Sequence, residues 1–324
     1  MNEINYQLTN EHSRSIVQGY HRSPSPRTHH VGAKKNDLKG MNAKGKKNIV
    51  PANVQSTSYR SKFTIGIEIE KTRIAPRRIT EQNLFAGYER DSSCGVEAVT
   101  NILPLIPQSK WRNKIFNMMF EAREIIEDAY SPTDYRCGGH ITVGVEDLNG
   151  QQILQATRKN MGIMYALFRY RLSNTYCDSN LMLDNTDFTE RSELCKGGGR
   201  YATALVKGDL VEFRLVSRFT SVEQTMRRYE LMYELLDFSV NNPNGKYSSF
   251  LKKIKPIIIA MYEGDVSKAE EILELSKHFQ KMLDTKLINS KVVRWVDKYN
   301  RLNPRWYTTE LRREIDNVCI RTTS

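Results

Sequence analysis

The sequence predicts an α+β fold in which an antiparallel or mixed sheet carries packed helices, with a basic arm ahead of it and a helical C-terminal third behind it. Three observations lead there. Lys62 to Glu70 (KFTIGIEIE) alternates apolar and non-apolar residues with β-branched enrichment, the pattern of a half-buried strand. Later strand-like runs are separated by helical runs at irregular intervals, and no GxGxxG or GxxxxGKS/T loop follows the first strand, which excludes a Rossmann or P-loop reading. From Val222 onward, apolar residues recur at helical spacing almost without interruption.

Residues 1–60 hold ten Lys/Arg against three Asp/Glu, a net +7 of the chain's total +12, together with four of its six histidines. They show no sustained apolar period and read as a disordered basic arm. Such an arm either attracts a nucleic acid or another anionic partner in a salt-dependent way or serves as a solubilising tail. The pair His29 and His30 reads as solvated rather than metal-binding.

The folded part is expected over 61–243, followed by a helical extension over 244–324. Gly95 to Leu103 reads as a second strand, and Lys110 to Tyr130 as an amphipathic helix with Ile115, Met118, Met119, Ala122, Ile125, Ile126 and Ala129 on one face. Gly139 to Val145 reads as a strand and Gln151 to Leu172 as a helix. Arg200 to Val206 and Leu210 to Val216 read as strands joined at Lys207-Gly208-Asp209, and Val222 to Val240 as a helix. Further helices are expected near Ser248 to Met261, Val266 to Leu283, Ser290 to Asn300 and Thr308 to Asn317.

No run of about 18 apolar residues occurs, which excludes an apolar membrane-spanning helix. The first residues lack the order of a secretory signal, and a cytoplasmic location is expected. Five scattered cysteines, 94, 137, 177, 195 and 319, read as reduced thiols rather than a disulfide framework.

The chemistry lies in polar residues placed inside strands. Glu68 and Glu70 are two apart, so their carboxylates point the same way, about 7 Å apart. Burying two like charges there is costly unless cations lie between them. Glu212 and Arg214 repeat the spacing with opposite charges, His140 and Thr142 form a third such pair, and Glu97 stands in a further strand. Each has an ordinary explanation alone: a solvent-facing glutamate, a surface ion pair, a hydrogen-bonded strand histidine. Cys137-x-x-His140 lacks the second half of a zinc site. Together, hard oxygen donors with one histidine favour Mg²⁺ or Mn²⁺, and the planar fork of Arg214 suits a phosphoryl or carboxylate oxygen.

In their order along the chain, Gly66–Glu70 (GIEIE), Arg90–Leu103 (RDSSCGVEAVTNIL), Cys137–Val145 (CGGHITVGV), Arg171–Cys177 (RLSNTYC) and Val211–Leu215 (VEFRL) resemble the amidoligases of the carboxylate-amine ligase superfamily, relatives of glutamine synthetase and glutamate-cysteine ligase. The likeness spans about Phe63 to Tyr229. It implies a glutamine synthetase/glutamate-cysteine ligase-like catalytic core, an antiparallel sheet whose face holds Mg²⁺ and ATP. By the same resemblance Glu68, His140 and Glu212 hold one ion, and Glu70 and Glu97 hold a second nearer the substrate carboxylate. Arg214 steadies a phosphoryl group, and Arg171 and the Asn174 to Tyr176 segment line the ligand side. Arg214, Glu70 and His140 are then the residues at the reaction, and Arg214, Arg171 and Thr142 those at the nucleotide. Thr142 departs from the pattern, which commonly has a second histidine there; a threonine still donates a hydrogen bond to phosphate.

The implied activity is ATP- and Mg²⁺-dependent ligation of a carboxylate to an amine, with small molecules, a peptide or a protein as substrates. Three rivals remain at this point. One is a catalytically inactive scaffold or virion-associated nucleic-acid-binding protein that works through the arm. The others are a phosphotransferase of the guanidino-kinase type and a metal-dependent hydrolase. Trp295, Trp306 and Tyr307 read as core aromatics, a lid or a partner surface.

Overall fold

A computed structural model describes residues 61–75, 78–79, 81–82, 84–91, 94–111, 115–134, 136–171 and 203–284. The arm at 1–60, the helices expected at Ser290–Asn300 and Thr308–Asn317, and Trp295, Trp306, Tyr307, Cys177, Cys195, Cys319 and Asn174–Tyr176 lie outside the described residues.

The strands are β1 (Phe63–Lys71), β2 (Phe85–Asp91), β3 (Gly95–Thr100), β4 (Leu103–Pro104), β5 (Gly139–Val145), β6 (Ala204–Lys207) and β7 (Leu210–Phe213). The helices are α1 (Gln108–Trp111), α2 (Asn117–Glu121), α3 (Arg123–Ile126), α4 (Gly150–Arg158), α5 (Gly162–Leu167), α6 (Val222–Asn241), α7 (Tyr247–Met261) and α8 (Val266–Asp284). One sheet runs β2-β3-β1-β5-β7-β6, with β4 also paired to β1. β1 is antiparallel to β3, β4 and β5, and β2 is antiparallel to β3. The fold is therefore α+β, an antiparallel sheet with packed helices.

The described chain gathers into two compact units that interleave along the sequence. The first holds the residues up to Gly150 with Lys207–Glu212 and Ser217–Tyr233. Its centre is β1. Phe63, Ile65, Ile67 and Ile69 are all at most 3% exposed, and burying each contributes roughly 2 kcal/mol. Lys71 closes the strand on that same face: its ammonium donates to the carbonyls of Ile126 (2.6 Å) and Phe219 (3.0 Å) and to the Asp128 carboxylate (2.9 Å). Burial pushes the Lys71 pKa down while Asp128 pulls it up, with burial the larger effect. Tyr229 bridges the segment after β4, accepting from the Ile106 amide and donating to the Pro104 carbonyl.

The second unit holds the described residues of Gln151–Val206, Phe213–Val216 and those from Glu234 to Asp284. Here α5 lies against α8. A Cβ on Gly162 would stand 2.4 Å from the Ser276 carbonyl oxygen, so only glycine lets the backbones come this close, and the Gly162 amide donates to Gln280 Oε1 at 2.9 Å. Tyr165 and Phe279 meet beside them with ring centres 5.9 Å apart.

Several expected elements change in the structure. Among the described residues, the helix read over Lys110–Tyr130 is interrupted at Ala122, between α2 and α3, and ends at Ile126. The stripe from Ile115 to Ile126 is buried as expected, but Ala129 and Tyr130 are exposed. The cause is tertiary: Lys71 takes the Ile126 carbonyl, the Asp128 amide donates to Thr220, and the chain turns out of the helix. The helix read over Gln151–Leu172 breaks at Lys159–Met161, where the Asn160 and Met161 amides donate three residues back and free Gly162 for Gln280. The strand read over Gly95–Leu103 splits into β3 and β4, because the Thr100 hydroxyl, not a backbone carbonyl, takes the Ile67 amide. β2 was not anticipated: Gly87 and a register shift between Phe85 and Gly87 break its alternation.

Candidate metal centre

Residues of β1 alternate between two faces, so Thr64, Gly66, Glu68 and Glu70 share the face opposite the isoleucines. Register then decides what joins them. Glu97 of β3 stands opposite Glu70, and His140 of β5 stands opposite Glu68. Glu212 comes from β7, the next strand after β5. Four neighbouring strands thus bring the five sequence-predicted ligands to one place.

All five are buried: Glu68 is 6% exposed, Glu70 9%, Glu97 4%, His140 7% and Glu212 0%. The His140 ring is the hub. Its Nδ1 lies 2.5 Å from Glu68 Oε2, 3.7 Å from Glu97 Oε1 and 3.9 Å from Glu212 Oε1, while Nε2 lies 3.7 Å from Glu70 Oε1. Two donor groups form around it, Glu68–His140–Glu212 and Glu70–Glu97–His140, with ligand atoms within 4.8 Å of one another in each. Glu70 is steadied by the Gly138 amide, which donates to its other oxygen, Oε2. That amide sits at an isolated bridge between Gly138 and Ser217.

Crowding four carboxylates around one imidazole in a region of low water content is expensive unless cations lie among them. One is Lys207, the last residue of β6, whose ammonium contacts Glu212 Oε2. The two groups suit hard divalent ions: each offers two carboxylates and the shared imidazole, with ligand atoms within 4.8 Å of one another. Cys137 takes no part in either group. Its sulfur lies 3.7 Å from Thr72 Oγ1 and 3.9 Å from Asp134 Oδ1, and burial pushes its pKa up, which makes it a poor thiolate ligand.

The nucleotide-side candidates are placed as follows. Thr142 is half-buried, two residues beyond His140 on β5 and opposite Gly66 of β1. Among the described residues, a Cβ on Gly66 would meet nothing within 4 Å. Arg214 directly follows β7, half-buried, with its amide donating to the Thr203 carbonyl at 2.9 Å. Arg171 ends the 3-10 turn Arg169–Arg171, also half-buried. Both arginines belong to the second unit.

Two residues of the site escaped sequence reasoning. Gly66 carried a signal, a glycine two before Glu68 in a run that otherwise favours bulky residues. Lys207 carried none, because a lysine beside a Gly-Asp turn is commonplace. No protein-family model matches the chain, and a search of curated proteins returns no match.

Proposed function

We propose that this chain is an ATP- and Mg²⁺-dependent carboxylate-amine ligase with a glutamine synthetase/glutamate-cysteine ligase-like core. The observation that carries the reading is the convergence of Glu68, Glu70, Glu97, His140 and Glu212, from four neighbouring strands, onto one buried spot. Four carboxylates within reach of one imidazole, joined by the Lys207 ammonium at Glu212, offer the hard oxygen donors that a divalent cation takes. The resemblance in the order GIEIE, CGGHITVGV, VEFRL then selects this class among metal-dependent activities.

Glu68, His140 and Glu212 would hold the ion at the nucleotide phosphates, and Glu70 and Glu97 the one beside the substrate carboxylate. When bound, Mg²⁺ supplies charge neutralisation for the oxygens that must approach one another. A carboxylate and an amine do not condense unaided in water, since hydroxide leaves poorly and the carboxylate repels nucleophiles. Transfer of the ATP γ-phosphoryl group to a carboxylate oxygen gives an acyl phosphate and ADP. Attack of the amine nitrogen on the acyl carbon forms the amide, expels phosphate and releases a proton. Arg214 is assigned to the phosphoryl oxygens, where a planar guanidinium fits two oxygens at once. Thr142, paired with Gly66 across β1 and β5, would offer a hydroxyl to the bound nucleotide.

The test is phosphate release from ATP by the full chain with pooled amino acids, polyamines and short peptides, wild type beside Glu68→Gln. Release that requires Mg²⁺ and Glu68 and yields an amide product supports the ligase. A stable phosphorylated amine or guanidine product replaces it with the phosphotransferase reading, and a wild type that neither binds nor turns over ATP overturns both.

A further inference from the structure

We propose that Lys207 is a specificity-determining residue of this centre, one that makes it prefer Mg²⁺ to the larger Ca²⁺; the inference rests on the metal site proposed above. Glu212 is fully buried and presents its two oxygens in different directions. Oε1 faces His140 Nδ1 at 3.9 Å, whereas Oε2 is ion-paired with the Lys207 ammonium.

The lysine is held to this task by its backbone. It ends β6, the chain reverses through Gly208 at φ 64 and Asp209, and the Gly150 amide donates to the Gly208 carbonyl at 3.0 Å. With Oε2 engaged, Glu212 offers an ion a single oxygen. Mg²⁺ takes six ligands in a tight octahedron with one oxygen from each carboxylate, whereas Ca²⁺ takes six to eight and readily uses both oxygens of a carboxylate. Lys207 therefore blocks the mode of ligation that Ca²⁺ gains most from and leaves the one Mg²⁺ uses. It acts through Glu212 and is a positioning residue.

Removing a positive charge tightens binding of any dication, so affinity alone does not test this idea, but the ratio of two ions of equal charge does. The experiment displaces Mn²⁺, followed by its paramagnetic resonance signal, with Mg²⁺ and with Ca²⁺ in wild type, Lys207→Met and Lys207→Arg. Lys207→Met should bind both ions more tightly, with Ca²⁺ gaining about tenfold more than Mg²⁺. Lys207→Arg, which still brings a cation to Oε2, should keep the wild-type ratio and guards against a misfolded methionine variant. An unchanged Mg²⁺/Ca²⁺ ratio in a folded Lys207→Met protein overturns the inference while leaving the metal site in place. A wild type that binds no Mn²⁺ overturns the site itself and this inference with it.

Discussion

On the core face of β1, Lys71 is fully buried and its three ammonium hydrogens meet three oxygens, two carbonyls and one carboxylate. On the opposite face, one and three residues earlier, Glu70 and Glu68 are buried among two further carboxylates and share one imidazole with them. Both faces bury charge: the first sets one cation among three oxygens, and the second draws four carboxylates toward one imidazole, with the Lys207 ammonium at Glu212. A charge whose partners are complete ties the structure together; like charges gathered in one place are an arrangement that folding alone does not favour. On this contrast rests the proposal that the second face holds cations.

The largest expected effect sits on the ligand face. Glu68→Gln keeps a hydrogen-bond acceptor for His140 and removes a charge, so Mn²⁺ affinity and turnover should each fall by about 100-fold or more, measured by resonance titration and phosphate release. Without metal the variant should melt no lower than wild type, because a like-charge contact has been relieved. Saturating Mg²⁺ at about 100 times its wild-type dissociation constant should stabilise wild type by roughly 2.7 kcal/mol in urea unfolding and Glu68→Gln by no more than about 0.4 kcal/mol. A metal-free Glu68→Gln that unfolds early would return the cluster to a structural role.

The core face should answer in the opposite way. Lys71→Met strands the Ile126 and Phe219 carbonyls without their donor and leaves Asp128 unpaired from it, which should cost about 3 kcal/mol in urea unfolding. Mn²⁺ affinity of the folded fraction should change less than threefold. Loss of metal binding in a folded Lys71→Met protein would mean that the two faces are not independent.

The shared face of the carboxylates was legible in the sequence because it is written in strand alternation, which is local. Glu68 and Glu70 share a face by spacing alone, and Gly139–Val145 runs as the sequence predicts. What the sequence could not supply is register: that Glu97 meets Glu70 and His140 meets Glu68 depends on how far each strand slides along β1. Helix breaks were illegible for a related reason. The apolar stripe from Ile115 to Ile126 sets which residues are buried, but the end of α3 is set by Lys71, more than fifty residues away in sequence. Lys207 reaches the site through a hairpin turn whose sequence says nothing of where its ammonium goes.

The smallest effects come from two glycines, one on each face. A Cβ on Gly139, which faces the core, would stand 2.4 Å from the Phe219 ring, so Gly139→Ala should destabilise by about 1–3 kcal/mol as the ring is pushed aside. Among the described residues a Cβ on Gly66 meets nothing, and alanine in a strand restricts the unfolded chain more than glycine does, so Gly66→Ala should stabilise by roughly 0.5–1 kcal/mol. The same methyl group stands beside Thr142, on the ground assigned to the nucleotide. Gly66→Ala should therefore raise the KM for ATP several-fold while leaving Mn²⁺ affinity within twofold, a split that a purely structural change would not produce. A more stable protein with unaltered KM would move the nucleotide off this part of the sheet, whereas the carboxylates would keep their role, because their convergence does not depend on what lies over Gly66.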